Sequence, residues 1–293
     1  MFFDVDRDWV PGWILGFGKI IMAGESYIMV DGDGTRHPYS GKYRGGFSSP
    51  YSSLQTYEAY TTDGSFINYY AEGYKAQFDN SGGHNMRFAW AKLPNGTTIE
   101  YGAPANYAIY PKKITDANGN YITITYRTYT RYWNGQWQFV EEGPNIETIT
   151  DTLGRTIQFY YERTGTAPNE KDLLTAVTAP GFNGGGARVL MRLQYDTRNL
   201  NSAGTNYGFQ NWLIPRVRDN GVISVIKAIH YPATGTGYWF GDANSYSNYG
   251  MLRKVSERRG MTCAVGGSAC ASLASLNVQP SIGAGSMSRE MTY

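Results

Sequence analysis

The feature that most restricts this chain is a glycine phase. Five segments carry a glycine followed by side chains fit for burial three and five residues later. After Gly34 these are His37 and Tyr39; after Gly64, Ile67 and Tyr69; after Gly96, Ile99 and Tyr101. After Gly119 they are Ile122 and Ile124, and after Gly154, Ile157 and Phe159. Two runs stay in step as far as Tyr126 and Tyr161. Period-two alternation from a fixed starting point is what a strand with one buried face requires, because a one-residue slip turns every ring to solvent. His37 is the poor fit in the set. Asp or Asn precedes four of the glycines directly, and Asp151 stands three residues before Gly154, which is hairpin-turn chemistry. The expected class is all-β, built of successive hairpins.

Composition agrees. Tyr occurs 25 times and Gly 36 times in 293 residues, and charged residues make up only 17%. Tyr suits a half-buried pleated surface and Gly suits tight turns. A net charge of +2 leaves no electrostatic footprint for nucleic acid or anionic lipid. The one basic cluster, Arg253, Lys254, Arg258 and Arg259, reads as a solvated strand edge. No apolar run approaches a membrane span, and Met1-Phe2-Phe3 passes at once into Asp4, Asp6, Arg7 and Asp8, with no signal-peptide core. A secreted or cell-surface location is expected, with export information lying outside this chain.

Residues 1–30 read as a pre-repeat segment cut at its N-terminus, and 31–260 as the repeat ribbon, clearest over 31–165. Within the ribbon, Tyr132-Trp133-Asn134-Gly135-Gln136-Trp137 forms an Asn-Gly hairpin with Tyr132 opposite Trp137. Arg188 to Asp196 and Val222 to Tyr231 are further strands, the second apolar on both faces. Residues 261–288 are small and polar and read as a Gly/Ser-rich loop or linker. Residues 289–293 look like the start of another strand.

No Ser sits in a Gly-x-Ser-x-Gly elbow, and His37, His84 and His230 lack zinc spacing. Asp4, Asp6 and Asp8 imitate a calcium loop, but its sixth position is Trp9; Asp31 and Asp33 read as turn residues bonding their own backbone. Neighbouring Glu141 and Glu142 point to opposite faces of a strand, a poor carboxylate pair for glycoside hydrolysis. No catalytic, cofactor-binding or metal site is therefore assigned. Cys263 and Cys270 are either two thiols or one disulfide, the disulfide being expected in an exported chain. Tyr132, Trp133 and Trp137 are candidates for glycan stacking, with cross-strand packing as the plainer account.

The repeated segments resemble the RHS/YD-repeat family, whose units read roughly Tyr-x-Tyr-Asp-x-x-Gly-Arg. Ile149-Thr150-Asp151-Thr152-Leu153-Gly154-Arg155-Thr156-Ile157 fits that core, and Ile114 to Ile122 fits with Asn120 in place of Arg. Val30 to Arg36 and Pro11 to Gly16 look like segments found ahead of the repeats in bacterial members. The resemblance implies a β-sheet ribbon wound into a large hollow shell, as in toxin-complex cocoons and teneurin ectodomains. It also implies a non-catalytic structural role, with the remainder of a longer chain and a C-terminal toxin cargo as partners. The family's shell-closing Asp-Pro-x-Gly-Leu motif has no counterpart here. An adhesin-like module binding cell-surface glycans is the alternative expectation.

Overall fold

The computed structural model describes residues 16–23, 26–44, 54–74, 86–105, 108–133, 136–165, 171–199, 222–247 and 252–293. The all-β expectation holds: the described residues form antiparallel strands joined by successive hairpins, with one short 3-10 turn at Phe182–Gly184. Two compact units divide between Thr156 and Ile157.

The first unit carries β1 (Lys19–Ala23), β2 (Ser26–Val30), β3 (Arg36–Arg44), β4 (Leu54–Thr61) and β5 (Asn68–Tyr74). It continues with β6 (Met86–Lys92), β7 (Thr98–Ala105), β8 (Ala108–Thr115), β9 (Tyr121–Trp133) and β10 (Gln136–Asp151). Each strand pairs antiparallel with the next. β8 keeps β7 along one edge and divides the other, giving Ala108 and Ile109 to β1 and Lys113 to Thr115 to β9. Strands β1 to β8 therefore close into a ring.

Four hairpins of this unit share one turn. The amides of Asp31, Leu93, Asp116 and Asp151 donate to the carbonyls of Thr35, Thr97, Asn120 and Arg155, at 2.8–3.1 Å. Inside each loop the glycine amide donates back across three residues, Gly34 to Asp31 and likewise Gly96, Gly119 and Gly154. Those glycines have φ between +75° and +90°, which is the left-handed residue that ends a three-residue hairpin loop. The Gly64 turn is longer, with Phe66 also left-handed at +53°.

Because the turns fix the phase, inward residues meet one another around the ring. Ile20 faces Met29, Met29 faces His37, Tyr69 faces Ala91, Ala89 faces Tyr101, and Ile109 returns to Ile20. Ile20, Met29, Ile67, Tyr69, Ala89, Ala91, Ile99, Tyr101 and Ile109 pack as one buried cluster. An eight-stranded ring has an interior that side chains can just fill, and each large ring here stands opposite a small Ala.

The second unit contains β11 (Thr156–Thr164, from Ile157), β12 (Lys171–Ala179), β13 (Arg188–Asn199), β14 (Val222–Tyr231), β15 (Thr236–Trp239) and β16 (Lys254–Arg259). These pair in sequence, and β20 (Ser286–Thr292) is added beside β16. The basic cluster is thus not a strand edge: β16 is paired on both sides, Arg258 bonds Asp242 at 2.8 Å, and Lys254 meets Glu290 at 2.7 Å. β12 is buried from Asp172 to Thr178 without alternation, and β14 from Val225 to His230 apart from Lys227, so this sheet is covered on two faces. One cover is the stretch read as a loop or linker. It carries β17 (Thr262–Val265), β18 (Ser268–Ala269) and β19 (Ser281–Gly283), a small sheet of its own.

The turn geometry gives a graded prediction. Gly154→Ala meets no atom within 4 Å and is strained only by its φ, a loss of about 1–2 kcal/mol. Gly18→Ala adds a collision with the Val30 carbonyl oxygen, so its urea midpoint should fall well below that of Gly154→Ala.

Candidate functional site

Polar side chains gather in two places, one in each unit. In the first unit the turns after β2, β4, β6 and β8 lie at one end of the ring, because consecutive strands alternate in direction. Their acidic residues cap their own backbone. Asp33 accepts from the Thr35 amide at 2.9 Å and Asp116 from Asn118 and Asn120; in the turn after β10, Asp151 accepts in the same way from Leu153 and Arg155. Each carboxyl is held below its ordinary range, chiefly by its turn's hydrogen bonds: from Thr35 to Asp33, Asn120 to Asp116, and Arg155 to Asp151.

His37 bridges two of these turns. Its Nδ1 lies 2.6 Å from Asp63 Oδ2 and its Nε2 lies 2.9 Å from Asp31 Oδ2, with the residue only 7% exposed. A neutral imidazole donates once, so two carboxylate acceptors select the doubly protonated ring. Burial pulls the His37 pKa down, but the hydrogen bonds and charges of Asp31 and Asp63 together outweigh it, and the pKa is raised. Both ring nitrogens are committed to acceptors, so neither serves as a base. The residue that spoils the apolar phase is a clamp between the β2–β3 and β4–β5 turns.

In the second unit the dominant group is Arg192, 0% exposed on β13. Its guanidinium donates to four backbone carbonyls: Cys270 at 3.3 Å, Ser272 at 2.9 Å, Ala274 at 3.0 Å and Ser275 at 3.1 Å. Neighbouring side chains hold the same cover. Thr175 Oγ1 donates to the Leu276 carbonyl at 2.6 Å, Gln194 Oε1 accepts from the Ile282 amide, and Gln279 Oε1 accepts from the Tyr195 amide. Cys263 and Cys270 are joined as a disulfide with Cα atoms 5.5 Å apart, closing a loop that ends at the first of the residues whose carbonyls receive Arg192. The small-residue stretch is therefore a docked lid.

The remaining sequence candidates fall as follows. Tyr132 and Trp137 are backbone partners across β9 and β10, as are Trp133 and Gln136, but the three aromatic side chains lie outside the described residues. Asp4, Asp6, Asp8 and His84 lie outside them as well. Among the described residues, no group of three or more His, Cys, Asp or Glu could hold a metal ion, and no helix is long and apolar enough to cross a membrane. Sequence reasoning missed Arg192 and the His37 clamp. The interruption of the apolar phase at His37 was a usable signal; an Arg at an apolar-strand position was a weaker one.

No protein-family model matches the chain, and no curated protein matches it. Among solved structures, the N-terminal domain of the effector protein SpvB from Salmonella typhimurium strain LT2 is similar. The match has 13% identity, covers 64% of this chain and 84% of that chain, and has a TM-score of 0.41. A similarity of that degree places no residue and assigns no activity.

Two predictions follow from the clamps. The raised His37 pKa means its contribution is fully present below the unfolded value of about 6.5 and is lost as pH rises through the folded value. His37→Gln should cost about 1.5–3 kcal/mol at pH 6, the range for hydrogen bonds to charged groups, and much less at pH 9. Melting curves of both proteins across that range measure it. Arg192→Met leaves four carbonyls without their donor and should cost at least about 3 kcal/mol in urea unfolding, with Arg192→Lys intermediate.

Proposed function

We propose that this chain is a non-catalytic structural segment of an RHS/YD-repeat shell, secreted or exposed at a cell surface. One observation carries the reading. The same three-residue glycine turn recurs at Gly34, Gly96, Gly119 and Gly154, each launching a strand with a buried residue three or five positions on: His37, Ile99 and Tyr101, Ile124, and Phe159. Such a unit extends by repetition, and its polar residues are spent on holding turns and a lid. The ring of β1 to β8 is filled by its own side chains, so any enclosed C-terminal toxin would lie within walls completed by the rest of a longer chain. The Cys263–Cys270 disulfide supports an oxidising destination.

Electron microscopy of the full-length gene product tests the proposal. A hollow particle with β-sheet walls is expected, and a solid globule would overturn the shell. The alternative, glycan binding by Tyr132, Trp133 and Trp137, rests on their adjacent positions in the β9–β10 hairpin. Trp133→Ala with Trp137→Ala separates the two. A wall segment loses thermal stability, whereas a lectin keeps its stability and loses retention on a glycan array.

A further inference from the structure

Beneath the lid of the second unit lies a titratable group that the wall reading does not use. His230, on β14, is 4% exposed, and neither ring nitrogen has a hydrogen-bond partner of good geometry among the described residues. Register fixes its surroundings. His230 is the cross-strand partner of Arg192 on β13 and of Gly237 on β15, so it shares the face on which Arg192 reaches the lid. Ala228, two residues earlier on that face, packs with Met261 and Ile282 of the lid and with the partly buried Cys263. A Cβ added at Gly237 would come 3.0 Å from Met261 Sδ, so Met261 overhangs this part of the sheet.

The charged groups facing His230 are few. From β13 comes Arg192; from β16, Arg258 faces Gly237 and is already paired with Asp242 and Ser256. The stretch 261–288, which includes the lid, contains no Asp, Glu, Lys, Arg, His or Tyr at all. No lid carboxylate is present to neutralise a second positive charge.

We infer that the 262–283 segment is an acid-released lid, with Arg192 as its latch and His230 as the group whose protonation opens it. A proton on His230 would place a second cation on a buried face already holding the Arg192 guanidinium, whose partners there are carbonyl dipoles alone. Lifting the lid relieves both charges by admitting water, while the disulfide keeps residues 263–270 of the lifted segment a closed loop. Burial holds the His230 pKa below its ordinary value, opposed only in part by the Met261 backbone. The sign follows: the closed form is favoured while His230 is neutral and is progressively lost as pH falls below about 6.5. The inference stands independently of the shell proposal.

Hydrogen–deuterium exchange on the full chain, with disulfide intact and intrinsic rates corrected for pH, provides the test. Between pH 7.5 and pH 5, protection over 262–283 should fall about tenfold or more, as expected when pH drops a unit or more below a controlling pKa. Protection over Lys171–Ala179 in β12 should hold. His230→Asn should flatten the response of the lid. Because that variant could fold poorly, the His230 titration is also followed by NMR in the unaltered protein, where its midpoint should coincide with lid opening. Lid protection unchanged down to pH 5, equal loss in β12, or a response that persists in a folded His230→Asn would each overturn the inference.

Discussion

The bond on which the first unit depends is the one from the turn glycine's amide to the carbonyl three residues back. It forces a left-handed residue at Gly34, Gly96, Gly119 and Gly154 and so fixes where the next strand begins. Everything after the turn inherits that phase. Ile99 and Tyr101 are buried because their distance from Gly96 is odd, and the intervening Glu100 is turned to the other face. The acidic residue at the turn reinforces the geometry by accepting its own backbone amides, which also explains why Asp and Asn crowd these positions.

A ring of eight strands places a second demand on the sequence, because its interior must be filled without strain. Tyr69 against Ala91 and Tyr101 against Ala89 meet it by setting large residues opposite small ones. The second unit has a different problem. Its β12 to β14 sheet is apolar on both faces, and one of those faces carries Arg192. A carboxylate would be the usual partner for a buried guanidinium. Here the backbone of a charge-free segment supplies carbonyl oxygens instead, which explains why residues 261–288 can be so small and polar and still be ordered.

What was legible in the sequence was local. The glycine phase exposes strands, turns and inward positions directly, since each is decided within about six residues. Ring closure is not local: the pairing of Ile20 with Ile109 spans most of the first unit, and no spacing announces it. Nor does composition distinguish a linker from a lid. Gly266, Gly267 and the surrounding Ser and Ala look like flexible chain until Arg192, some eighty residues earlier, is seen to bind their neighbours. The basic stretch around Arg258 looks like a strand edge for the same reason, because its second neighbour, β20, follows only after the lid has been inserted.

Burial alone does not decide how a histidine responds to pH. His37 and His230 are both nearly inaccessible, at 7% and 4% exposure, and desolvation disfavours the charged ring in each. Their neighbours reverse the outcome. Two carboxylates at hydrogen-bond distance make the His37 cation the form that the fold prefers, so acid tightens that end of the ring. His230 has a cation across the strand and an uncharged lid above it, so acid works against its surroundings. A protein carrying both arrangements can resist acid in one unit while yielding in the other. The difference lies in whether the residues opposite are Asp31 and Asp63 or Arg192.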